Sequence, residues 1–116
     1  MTNEELPLFV HWQKVIGDIL DRTQKFPKAV RFTFSTRIDG AALDVLEGIV
    51  EARYSHGPRK TEALRRIDLA LARLRVLLRL SHDRQYVDSG GYEHVARGLD
   101  EAGRMVGGWR KEAGSR

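Results

Sequence analysis

The sequence predicts an all-α protein, an antiparallel up-down four-helix bundle that assembles into a cyclic homo-oligomer. Three observations predict it. Apolar residues recur at helical spacing through four successive segments. The breaks between those segments are short and carry proline or glycine, which favours antiparallel neighbours. One of the helices is apolar on two sides, whereas a small bundle needs only one.

The first helix is read over about 7–25. Pro7 suits a first turn, where its missing N–H has no partner to lose. Leu8, Trp12, Val15, Ile16, Ile19 and Thr23 then share one face. "KFPK" ends the helix, because the residue before a proline is pushed out of the α region. The second helix is read over about 28–55, with Val30, Phe34, Ile38, Ala41, Val45 and Ile49 on its main face. Gly40 and Gly48 weigh against it, at about 1 kcal/mol each relative to alanine. The run "VRFTF" has strand character, but a single strand would have no partner elsewhere in the chain. "SHGPRKTE" is the next break, with Pro58 and Thr61 as helix starters.

The third helix is read over about 59–84 and the fourth over about 90–111. "YVDSGGY" between them is a loop in which Asp88 or Ser89 caps the fourth helix. Tyr92, Val95, Ala96, Leu99, Ala102 and Val106 lie on one side of that helix. Ala96, Gly103 and Gly107 sit together beside this stripe, where small residues admit another backbone. Trp109 closes the end of the face or meets a neighbouring subunit. Residues 112–116 read as a flexible tail. With 116 residues and no internal repeat, one domain is expected.

Helix three poses the functional question. In "RRIDLALARLRVLLRL", residues 65–80, ten of sixteen residues are apolar and five are arginine. At 100° per residue, Leu64, Ile67, Leu71, Leu74 and Leu78 form the core stripe. Leu69, Val76 and Leu80, with Leu77 at the margin, form a second stripe. Arg59, Arg66, Arg73 and Arg84 lie beside the second stripe, and Arg65, Arg75 and Arg79 on the remaining face. Phe32, Leu46 and Val50 likewise fall away from the main stripe of helix two. A second apolar side implies another covering surface, hence an oligomer interface formed by Leu69, Val76, Leu80, Phe32, Leu46 and Val50. The alternative is a bundle whose helices have wide apolar faces.

Residues 59–84 carry eight basic side chains, Arg59, Lys60, Arg65, Arg66, Arg73, Arg75, Arg79 and Arg84, against the acids Glu62, Asp68 and Asp83. Arg65 and Arg66 are within reach of Glu62, and Arg79 of Asp83. Arg59, Arg73 and Arg75 have no acid at i±3 or i±4, though Asp100 and Glu101 of helix four are available to some of them. Such a face is either solvated or phosphate-binding. A cyclic oligomer would multiply its field and make polyanion binding strong and salt-sensitive. Arginine also makes bidentate phosphate contacts that lysine does not. The net charge of +4 is consistent with an anionic partner.

Enzymatic chemistry has no visible basis, and no cofactor or metal is expected. There are no cysteines, so disulfides and thiolate metal sites are excluded. "DSGG" at 88–91 resembles a serine-protease nucleophile loop, but that fold needs two β-barrels. "SHD" at 81–83 puts triad-type residues about 100° apart on a helix, where they form no relay. His11, His56, His82 and His94 lack paired ligand spacing, and His94 reads as solvated. There is no phosphate-cradling glycine loop. Neither a signal peptide nor a membrane span is evident, so a soluble cytoplasmic protein is expected.

The stretch "LDEAGRMVGGWRK", 99–111, resembles the C-terminal signature of the Avd proteins, the accessory variability determinants of diversity-generating retroelements. "LALARLRVLLRLSHD" in helix three, "FPK" after helix one and the order of helices are similar to theirs, so the likeness spans essentially the whole chain. The wider relatives are the four-helix-bundle proteins encoded in intervening sequences of bacterial large-subunit ribosomal RNA. The resemblance implies a homopentameric barrel with a basic surface. It implies binding to a reverse transcriptase and to nucleic acid, template RNA especially and DNA as a further possibility. It implies a non-enzymatic role in error-prone cDNA synthesis that diversifies a target gene. The residues expected to bind nucleic acid are the eight basic residues of helix three, with Lys25, Lys28 and Arg31 near the first break in support. The competing reading is a structural homo-oligomer of the ribosomal-intervening-sequence type, without a polymerase partner, whose arginines bridge subunits.

Overall fold

The computed structural model describes residues 5–114, which form four α-helices and no strand. They are α1 (Glu5–Thr23), α2 (Thr36–Arg53), α3 (Pro58–Asp83) and α4 (Ser89–Gly114). Packing is between α1 and α2, α2 and α3, α3 and α4, and α4 and α1, the square arrangement of a four-helix bundle. Cross-helix contacts run in opposite directions along each pair. His11 Nε2 lies 2.9 Å from the Gly98 carbonyl, and further along α1 Asp18 meets His94. Arg66 meets Glu51 while Arg73 meets Asp44, so α2 and α3 are antiparallel as well.

The periodic residues supply the core. Leu8, Trp12, Val15, Ile16 and Ile19 of α1 meet Ile38, Ala41, Val45 and Ile49 of α2. Leu64, Ile67, Leu71, Leu74 and Leu78 of α3 meet Val95, Leu99, Ala102 and Val106 of α4. Polar groups inside this core are satisfied. The Trp12 indole N–H donates to the Ala42 carbonyl at 2.9 Å, and the Ser81 hydroxyl donates to the Leu77 carbonyl at 2.8 Å. Trp109 is buried and closes the end of α4 against α3.

The structure corrects three boundaries. The second helix does not run unbroken from 28. Lys28–Val30 is a 3₁₀ turn and Arg31–Ser35 a π turn, and α2 proper starts at Thr36. The run "VRFTF" is therefore helical, but wide. The π turn places Phe34 against Tyr86, ring centroids 5.2 Å apart, while Ile38 keeps its place in the core. Residues 112–114, expected in a flexible tail, are the last turn of α4, held by Ala113 packing on the core, and 115–116 lie outside the described residues. The first helix ends at Thr23, because the Lys25 and Phe26 N–H groups turn back to the Arg22 and Thr23 carbonyls at 3.0 and 3.1 Å.

Candidate nucleic-acid interface

The core stripe of α3 fixes where its arginines point, and most of them point at acids. Arg65 donates from Nε and Nη2 to Glu62 at 2.9 and 2.8 Å. That fork holds the Glu62 carboxyl below its ordinary value and raises Arg65 above its own. Arg66 reaches Glu51 of α2 at 2.5 Å, rather than Glu62 as expected. Arg73, which lacks an acid on its own helix, lies 3.6 Å from Asp44 of α2. Arg75 lies 3.7 Å from Asp100 of α4, a pairing the sequence allowed. Asp68 takes Arg110.

The other four basic residues of the set are placed differently from one another. Arg59 and Arg79 have no acidic partner within 4 Å among the described residues, and the expected Arg79–Asp83 pair is not formed. The Lys60 ammonium sits over the Trp109 ring, 5.6 Å from its centroid. Interaction with the Tyr86 side chain raises the Arg84 pKa above its ordinary value. The α3 face is thus less positive than its sequence implies. Its ion pairs are about half exposed, and such pairs contribute ~0–1 kcal/mol. Each arginine has more N–H donors than its carboxylate takes up.

The second stripe is open to solvent: Leu69 is 49%, Val76 67% and Leu80 44% exposed. Leu69, Val76 and Leu77 line a groove with Ala72, Arg73 and, from the start of α2, Arg37. Val50 is exposed as expected, but Leu46 is half-buried against the core. Phe32 is 80% exposed and lies in the π turn, outside the α2 helix from which its phase with Leu46 and Val50 was read. Within the chain the α4 glycines Gly103 and Gly107 admit no other backbone. Gly103 makes room for Arg75, whose Nη2 lies 2.6 Å from where a Cβ would stand, and Gly107 faces open space.

A second basic region was only half legible. Lys25, Lys28 and Arg31 belong to a stretch in which Arg22 and Arg37 are also basic and no acid occurs between Asp21 and Asp39. Counting acids along the chain finds it, whereas helix wheels do not, because the stretch crosses a helix break. Folding gathers Lys28 and Arg31 at one groove and Arg22 and Lys25 at the next, beside Tyr86.

The triad-like fragments are structural. Asp88 caps α4, its carboxylate accepting the Gly91 N–H at 2.7 Å. Ser81 is buried, and His82 turns to Ser89 at 3.1 Å and stacks on Tyr92. His94 is not merely solvated but bonds Asp18 at 2.8 Å, tying α4 to α1. Among the described residues no three His, Asp or Glu side chains converge as metal ligands, and no helix is long and apolar enough to cross a membrane.

A search of curated proteins finds no match for the chain. A sequence-family model does match: the bAvd-like family, over residues 8–113.

Proposed function

The chain belongs to the bAvd-like family, and on that premise we propose that it is a non-enzymatic accessory protein of a diversity-generating retroelement. It binds the reverse transcriptase and template RNA through a basic surface and supports mutagenic cDNA synthesis. The active form is a homo-oligomer, a pentamer as in the family the sequence resembles. The observation that carries this reading is the outer face of α3, where exposed Leu69, Val76 and Leu80 run between arginines. The apolar stripe serves assembly, and assembly sums the basic faces of the subunits into one strong field.

A second reading has a specific observation behind it. Arg66, Arg73 and Arg75 already hold acids of neighbouring helices, as they would in a purely structural bundle. Light scattering separates the two. The protein is measured alone and with a structured RNA at about 50 and 200 mM salt, a range over which six or more phosphate contacts lose ~10³-fold or more in affinity. A pentamer that binds RNA at low salt and releases it at high salt supports the accessory role. An oligomer indifferent to RNA supports the structural one.

A further inference from the structure

At the end of the bundle where α1 stops and α4 begins, the 3₁₀ and π turns carry an aromatic ring among cations. Phe32 is 80% exposed, the most exposed of the large apolar side chains described. Its neighbours in the turn, Arg31 and Thr33, are exposed too. The same turn anchors Phe34 in an aromatic cluster. Tyr86 contacts Phe26 and Phe34, with centroids 5.8 and 5.2 Å away. The turn is fixed at its end as well, the Thr36 hydroxyl donating to the Arg31 carbonyl at 2.9 Å. Phe32 is thus held out on a built support and gains nothing from the core.

The surrounding charge is mixed but leans positive, with four cations and three acids lining the two adjoining grooves. Lys28 and Arg31 line a groove beside this turn. Arg22 and Lys25 line the next, beside Tyr86. Asp39 lines the first groove and Asp21 and Asp88 the second. Asp39 accepts the Thr23 hydroxyl at 2.7 Å and Asp88 accepts the Gly91 N–H, which fixes both carboxylates in place. An exposed ring amid cations matches a polyanion that also offers flat apolar faces. A duplex stacks those faces inside. A single strand presents them, and base stacking on an aromatic side chain with backbone phosphates on Lys and Arg is how such strands are held. A π turn is itself frequent at functional sites.

We propose that this bundle end is a binding site for single-stranded nucleic acid, with Phe32 stacking on an unpaired base and Lys28 and Arg31 contacting the adjacent phosphates. The proposal rests on the nucleic-acid reading above and adds to it the form of the ligand and a place away from the α3 face. It moves Phe32 from the subunit interface to the ligand.

The test is fluorescence anisotropy of the full chain with labelled 20-nucleotide oligo-U and oligo-dT and with a duplex of equal length, alongside light scattering of each variant. Phe32→Ala is expected to weaken single-strand binding about tenfold and to leave duplex binding and oligomer mass unchanged. Phe32→Trp is expected to restore binding and to show quenched emission with either single strand. The native Trp12 and Trp109 are buried and contribute little to that change. Lys28→Gln with Arg31→Gln is expected to lower the single-strand salt slope by ~1.4, two contacts at about 0.7 each. Comparing oligo-U with oligo-dT assigns the strand to RNA or DNA. If wild type binds single strands and Phe32→Ala binds them equally, or if that variant loses oligomer mass, the inference is overturned while the accessory role stands. If wild type binds none of the three ligands, both fall.

Discussion

Gly48 and Gly103 both sit inside helices, and both would gain helix propensity from alanine, about 1 kcal/mol each. What a Cβ would meet decides between them. At Gly48 it would stand 2.7 Å from Cγ1 of Ile67, a core side chain without room to move. Overpacking of that kind costs about 1–3 kcal/mol, so Gly48→Ala is expected to lower stability. At Gly103 the obstacle is the tip of Arg75, a flexible and partly exposed chain that swings away. Gly103→Ala is expected to raise stability by ~0.5–1 kcal/mol. Thermal unfolding followed by circular dichroism checks both, with shifts of opposite sign and about 2–6 °C. Neither sign is readable from the sequence, in which both are simply glycines in helical runs.

At the scale of elements, periodicity placed all four helices, and local chemistry set most of their ends. Asp88 is one such end. Removing its carboxylate leaves the Gly91 N–H without its 2.7 Å partner. Asp88→Ala is therefore expected to cost about 1 kcal/mol, with Asp88→Asn nearly neutral, as read by urea unfolding. The junction of α1 and α2 went the other way. Its apolar residues continue the helical spacing, which predicts one helix from 28, yet the chain forms 3₁₀ and π turns there. The contact that favours the wider turn, Phe34 on Tyr86, joins residues 52 positions apart. No window of local sequence contains it.

For the whole molecule, the outer stripe of α3 is the feature on which the proposed assembly rests. Leu69→Glu with Val76→Glu puts charge on side chains that are about half or more exposed in the single chain. If the stripe is covered only by other subunits, the double variant is expected to yield folded monomers, by light scattering with helical circular dichroism retained. Global unfolding would instead mark the stripe as core and remove the argument for an oligomer. Charge is also a whole-molecule property here. The arginines of α3 lie on a chain with net charge +4, but their local field depends on Asp44, Glu51 and Asp100, which belong to other helices.

The sequence by itself determined the helical class, the residues of the core stripes and the second apolar stripe of α3. It did so because a helix repeats every 3.6 residues and burial follows that repeat. The tertiary structure decided which arginines are paired, because Arg66–Glu51, Arg73–Asp44 and Arg75–Asp100 exist only through the register of one helix against another. It also decided that Gly103 accommodates a side chain rather than a backbone, and that Phe32 stands outside α2. Periodicity fixes the direction in which a side chain leaves its own helix. What it meets there is set by the offsets between helices, which arise from packing across the core and have no local signal in the chain.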